Sequence, residues 1–282
     1  MSVATRINAM KMTRSNDAPL SAANEARRLF LLRALSMGVL AGGAGWNLPA
    51  LASLFGKLPG KLPDGKSIFE LSGDVTVNGA RASAATLIKP GDSVKTGSNS
   101  YAIYAVGGNA FILRENSTFD IGVVGKALKQ TMRLLTGKLL GVFGRRDPSQ
   151  RLSLRTGNAT IGIRGTGVYA EADAEKTYLC TCYGITDLVA SSDFDLDAPA
   201  ADPASRGRNA SVAPPPERAE ISAQHHDAPK YILSNPEKGK RIVPAPFLNH
   251  TDLELMTLEA LVGRKVPFGL QPDQYEAPRR EY

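Results

Sequence analysis

The segment from Arg155 to Glu171, R-T-G-N-A-T-I-G-I-R-G-T-G-V-Y-A-E, limits the folds open to this chain more than any other stretch. Ile161, Ile163, Val168 and Tyr169 are interrupted by glycines at 157, 162, 165 and 167. A helix loses about 1 kcal/mol for each glycine relative to alanine, so a helical reading fails. The β-branched run before Arg164 and the Val-Tyr pair after Thr166 read as two strands. Gly165-Thr166-Gly167 between them is a bulge or sharp bend, where glycine permits positive φ or close backbone approach. Gly-rich turns occur in any β protein, and this one is not a phosphate loop: no Gly-Lys-Ser/Thr follows and no helix opens after it.

The neighbouring sequence has the same texture. Phe69 to Val77 ends at Asn78-Gly79, a strong hairpin signal. Leu87-Ile88 runs into the turn Pro90-Gly91-Asp92. Tyr101–Val106 and Phe111–Leu113 flank Gly107-Gly108 as a second hairpin. Phe119–Val124, Met132–Leu135, Leu139–Phe143 and Leu152–Leu154 add further strands. Short strands about ten residues apart with turns between them predict an all-β domain over 67–190: a compact β-sandwich, a barrel or a short β-solenoid. The repeats are too irregular to assign a period, so these alternatives stay open.

Arg164-Gly165-Thr166-Gly167-Val168, with Thr156-Gly157 and Ala159-Thr160-Ile161, resembles the closing signature of the FecR-type periplasmic domain. Gly73-Asp74-Val75, Pro90-Gly91-Asp92, Thr96-Gly97-Ser98 and Thr136-Gly137-Lys138 follow that family's order, so the resemblance spans about Ile68 to Leu188. It implies an exported, non-enzymatic module for binding, sensing or envelope interaction, with an envelope protein or small ligand as partner. Residues 1–26 are too short for the cytoplasmic anti-sigma domain that some FecR-type regulators carry.

The start of the chain agrees with export. Arg27-Arg28-Leu29-Phe30-Leu31 resembles a twin-arginine signal, with Arg33 behind it. Ala34 to Gly45 is mildly apolar, and Ala50-Leu51-Ala52 supplies small residues for cleavage, so residues 1–52 read as a signal peptide. A membrane anchor needs roughly 20 strongly apolar residues, and the glycines at 42 to 45 with Pro49 deny it that length. The mature chain is therefore expected in the periplasm without a stable transmembrane segment. The formal charge of +7 invites a nucleic-acid reading. Six of the 34 basic residues but only two of the 27 acidic ones precede Ser53, leaving the remainder at +3, which argues against such a partner.

Residues 53–66 form a Gly/Pro/Lys linker. Thr177 to Leu188 contains both cysteines of the chain, Cys180 and Cys182. Side chains two apart on a strand face one way, about 6.6–7 Å apart at Cα, which strains a disulfide between them but suits two thiolates on one ion. Free cysteines are also ordinary small core residues, yet a free pair in an oxidising compartment is a liability. All the histidines lie downstream: His225, His226 and His250. A Cys-x-Cys plus His-His set offers ligands for zinc, copper or iron rather than calcium. It does not follow a zinc-finger spacing, and Cys180-Thr181-Cys182-Tyr183 is not the C-x-x-C-H of covalent haem. The alternative functional reading is thus a metal- or cofactor-binding periplasmic protein using Cys180, Cys182, His225, His226 and His250.

Residues 191–220 are rich in Asp, Ala and Pro and predict a disordered excursion. The extension 221–282 carries one helix, over about 252–262. Thr251 caps it, Glu254 closes a capping box, and Gly263 suits its C-terminal end. Leu253, Met256, Leu258, Leu261 and Val262 give the stripe that packs it on the β domain. No catalytic constellation stands out: there is no Gly-x-Ser-x-Gly and no His-Glu-x-x-His. Asp193, Asp195 and Asp197 lack the glycine of a calcium loop, and a Cys182/His dyad would sit on a strand, away from the helix N-terminus that lowers a thiol pKa.

Overall fold

A computed structural model describes residues 58–123, 129–145, 149–190, 216–236 and 239–268. The chain is all-β with one helix among the described residues. In order the strands are β1 (Ile68–Ser72), β2 (Val75–Val77), β3 (Ala80–Arg81), β4 (Ser93–Thr96), β5 (Tyr101–Val106), β6 (Asn109–Leu113), β7 (Thr118–Asp120) and β8 (Lys129–Val142). They continue with β9 (Arg151–Arg155), β10 (Ala159–Ile163), β11 (Gly167–Ala172), β12 (Lys176–Ala190), β13 (Arg218–Ala223), β14 (Lys230–Leu233) and β15 (Ile242–Pro244), and helix α1 covers Asp252–Leu261.

Two long strands organise the rest. The first halves of β8 and β12 lie in different sheets from their second halves, and each strand turns its corner at a glycine of positive φ, Gly137 (93°) and Gly184 (86°). A Cβ at Gly137 would come within 2.1 Å of the Ser117 hydroxyl, and one at Gly184 within 2.7 Å of the Thr166 methyl. Only glycine fits these corners. The front sheet runs β15–β14–β12–β11–β8–β6–β5–β1 and the back sheet β3–β2–β4–β7–β8–β9–β10–β12–β13. Because β8 and β12 belong to both, β8–β9–β10–β12–β11 closes on itself as a five-stranded barrel. Pairing is antiparallel throughout except between β8 and β9. This closed ring, with edge strands continuing both sheets, replaces the sandwich and solenoid alternatives.

Several predicted elements fall as expected and several differ. Asn78-Gly79 turns β2 into β3 with φ of 52° and 81°, and Gly107-Gly108 joins β5 to β6. The predicted strands Met132–Leu135 and Leu139–Phe143 are one strand, β8, because Gly137 bends the ladder without ending it. Conversely, Phe69–Val77 is two strands split at Gly73. Gly165-Thr166 carries the chain from β10 in the back sheet to β11 in the front, so these neighbours in sequence do not pair with each other. Of the predicted excursion, 191–215 lies outside the described residues, and its last part enters β13, which pairs with β12.

The front sheet is buried on both faces. Tyr104, Phe111, Leu113, Leu139, Val168, Ala170 and Leu179 point into the barrel side, where Leu154, Ile161 and Leu188 of the back sheet meet them. The alternate residues Ile103, Ile112, Leu140, Tyr169 and Cys180 point outward and lie opposite one another across five strands. Helix α1 and its flanks cover this outer face. Thr251 accepts from the Glu254 N–H while the Glu254 carboxylate accepts from the Thr251 N–H, the predicted capping box. Leu258 and Leu261 are buried as expected and Val262 packs beside them, while Leu255 takes the place expected of Leu253 and Met256, which are half-exposed. Full burial of three such leucines stabilises the docked helix by about 1.5–3 kcal/mol each. No helix among the described residues is long and apolar enough to cross a membrane.

Candidate metal centre

Cys180 and Cys182 leave β12 on the outer face of the front sheet, and both are fully buried there. Cys180 lies opposite Tyr169 of β11. The register then slips: Thr181 pairs with Val168 and Tyr183 with Gly167, leaving Cys182 as the extra residue of a bulge. The bulge puts Tyr183 on the same side as the cysteines, and its hydroxyl donates to Glu259 of α1. The Cys182 carbonyl, freed from the β11 ladder, accepts the His226 N–H at 2.9 Å.

That bond delivers the first histidine. His226 follows β13 in a turn tied by the Asp227 carboxylate, which accepts the N–H of Gln224 at 2.6 Å and of His225 at 3.2 Å. These N–H donors hold the Asp227 carboxyl below its usual pKa. His226 itself has a φ of 55°, a left-handed conformation uncommon outside glycine that aims its ring back over β12. The second histidine comes from the other side. His250 sits two residues before α1, stacked on Tyr169 with ring centres 4.4 Å apart and edge-on to Phe247. Its turn is held by Arg114, which donates to the Asn249 carbonyl and pairs with Glu254 at 2.8 Å, and by Asn249, which donates to Glu171.

Four donor atoms now converge. Cys180 Sγ is 3.5 Å from His226 Nδ1, Cys182 Sγ is 3.3 Å from His250 Nε2, and the two ring nitrogens are 3.1 Å apart. All four atoms lie within 4.8 Å of one another. A tetrahedral ion with sulfur at about 2.3 Å and nitrogen at about 2.0–2.1 Å sets its ligands about 3.3–3.8 Å apart, and these three contacts match that spacing to within a few tenths of an ångström. A two-iron cluster would put the cysteines on one iron and the histidines on the other. Here each thiol lies beside an imidazole, which suits a single ion.

The far side of each ring is also occupied. His250 Nδ1–H donates to the Leu248 carbonyl at 2.6 Å, and His226 Nε2–H donates to Asp252 Oδ1 at 3.0 Å. Both partners only accept, so each ring carries a proton on its outer nitrogen, which leaves the inner nitrogens, His226 Nδ1 and His250 Nε2, as the atoms an ion would take. This is the outer arrangement that orients histidine ligands on a metal. Burial opposes ionisation of the Cys180 thiol, but its bonds with Cys182, His226 and His250 outweigh that and hold it well below the ordinary value. At Cys182 burial and the adjacent Cys180 push the thiol up. Burial works against charge on His226, yet Asp252 and Cys180 raise it to about 9. Two soft thiols and two imidazoles converging on one point suit zinc ahead of copper or iron. All four residues are at most 7% exposed, which makes the site closed, as structural zinc sites are.

Of the five residues expected as ligands, the structure brings together Cys180, Cys182, His226 and His250. His225 stands outside, its Nε2 2.9 Å from Asp252 Oδ1 and its ring against Phe268. The turn at His226 explains the division, because consecutive side chains diverge there. Asp252, which accepts from both His225 and His226, escaped sequence reasoning; its signal was an acid in the first helical turn, two residues after His250. The motif Arg164-Gly165-Thr166-Gly167 is not part of the cluster: Arg164 is exposed and pairs with Asp187 at 2.7 Å on the back sheet. Arg27 and Arg28 lie outside the described residues.

No family model matches the chain, and no curated protein matches it. Two crystal structures, at 1.65 and 2.50 Å resolution, of a "putative anti-sigma factor" from Parabacteroides distasonis resemble it with TM-scores of 0.39 and 0.38 at 8% identity. The likeness covers 54% of this chain and 58% of that one, little more than half of each.

Proposed function

We propose that this chain is a non-enzymatic, metal-centred binding module in which Cys180, Cys182, His226 and His250 hold one zinc ion. The observation that carries the reading is the interleaved placement of two thiols and two inner ring nitrogens at 3.1–3.5 Å, with both outward ring nitrogens already bonded. The ion would join three separate pieces of chain: β12, the turn after β13, and the segment leading into α1. Its work is to fasten the C-terminal helix over the outer face of the front sheet. A closed four-ligand site leaves no position for substrate, which supports a structural role over catalysis.

The resemblance to FecR-type domains and the twin-arginine-like leader support an exported module that engages an envelope protein or small ligand in the periplasm. Export in the folded state would let the metal load where thiols stay reduced, and the bound ion would then keep the pair from oxidising. The test is elemental analysis of protein isolated gently from cells. About one zinc per chain supports the reading, and its removal by a chelator should lower the thermal midpoint by about 10 °C or more. Metal-free protein of undiminished stability would overturn it.

A further inference from the structure

The four-ligand cluster is sealed, and an ion reaching it must shed its water on the way. Beside it lies a second group of donors. His225 Nε2 and His226 Nε2 both contact Asp252 Oδ1, at 2.9 and 3.0 Å, and the donor atoms of these three residues lie within 4.8 Å of one another. The His225 side chain is 29% exposed, against 3% for His226 and 1% for Asp252. The other carboxylate oxygen of Asp252, Oδ2, is buried with no hydrogen-bond partner among the described residues. A buried, unpaired carboxylate oxygen is costly, and a cation is the partner that relieves it. Asp252 also opens α1, where the helix N-terminus favours its negative charge.

We propose that His225 and Asp252, with His226 behind them, form a loading site that captures a divalent cation and passes it to the four buried ligands. This rests on the zinc-site reading above. His225 meets the ion as its Nδ1–H tautomer, so that the Nε2 lone pair and the Asp252 carboxylate replace their mutual hydrogen bond with shared coordination. A mixed oxygen and imidazole pair suits an ion that still carries water. His226 touches both groups, with Nε2 toward Asp252 and Nδ1 toward Cys180. His226 Nε2–H keeps its bond to Asp252 Oδ1, which leaves Oδ2 for the ion. The ion then exchanges His225 and Asp252 for His226 Nδ1 and Cys180 one at a time along the ring edge. The Phe268 ring packs against His225, with ring centres 4.4 Å apart.

The test is stopped-flow loading of cobalt(II) into the chelator-stripped full chain, followed by the visible absorption of tetrahedral thiolate-bound cobalt. His225→Ala should load at least about tenfold more slowly while reaching the same final absorbance and stoichiometry as the parent. His225→Gln, which keeps an N–H toward Asp252 but is a poor ligand, should load as slowly as the alanine variant. Parental rates in His225→Ala, or full recovery in His225→Gln, would overturn the proposal and leave His225 as a prop for Asp252. Failure of the parent chain to develop the cobalt absorption at all would instead overturn the four-ligand reading, and the loading site with it. The two failures differ because one appears in the rate and the other in the amplitude.

Discussion

Cys182 and His250 are 68 residues apart in sequence, yet the Cys182 sulfur lies 3.3 Å from His250 Nε2. The contact is built from opposite ends: a bulge in β12 frees Cys182, and a turn held by Arg114 seats His250 against Tyr169. If one ion joins them, Cys182→Ser and His250→Ala should each abolish stoichiometric metal and lower stability. Zinc binding to structural sites is worth about 10–16 kcal/mol in small peptides, so loss of a ligand should register well above measurement error. Both variants retaining full metal in elemental analysis would refute this.

Arg114 and Glu254 form a pair whose side chains are only 12% and 5% exposed. Removing one partner of a buried pair strands the other charge, at a cost of about 3–5 kcal/mol. Arg114→Met should therefore destabilise strongly in urea unfolding and loosen α1 with it. The double change Arg114→Met with Glu254→Met should recover part of that loss. Simple additivity of the two would show that the pair is not coupled.

Gly167 faces the Tyr183 ring so closely that a Cβ would lie 2.5 Å from Cε1. Gly167→Val should displace Tyr183, break its bond to Glu259 and cost about 1–3 kcal/mol through overpacking. Urea titration would show this as a lower midpoint with unchanged slope. An unaltered midpoint would mean that Tyr183 has somewhere else to go.

Much of this arrangement was legible in the sequence and some was not, for reasons of range. The period of two along a strand put Cys180 and Cys182 on one face, and Thr251 with Glu254 marked the start of α1, because both are local rules. Gly137 read as a break between strands, since sequence does not distinguish a glycine that ends a ladder from one that bends it. Telling His226 from His225 required the positive φ of the turn and the Cys182 carbonyl that meets it, a contact between segments 44 residues apart in numbering. Asp252 was hidden for the same reason. The stripe on α1 was shifted because Asp252, Glu254 and Glu259 face inward to the polar partners His226, Arg114 and Tyr183.

If Arg27-Arg28 directs export through the twin-arginine route, replacing both by lysine should trap the precursor inside the cell, as seen by fractionation and immunoblotting. The parent should mature to an N-terminus at or within a few residues of Ser53. Normal export of the lysine variant would remove the twin-arginine assignment.

The central claim, a single ion held by two sulfurs and two nitrogens, is tested most directly by X-ray absorption at the zinc edge of the purified chain. The account predicts about two sulfur neighbours at about 2.3 Å and two nitrogen neighbours at about 2.0–2.1 Å. A shell of nitrogen and oxygen alone, or protein containing no zinc to absorb, would contradict it.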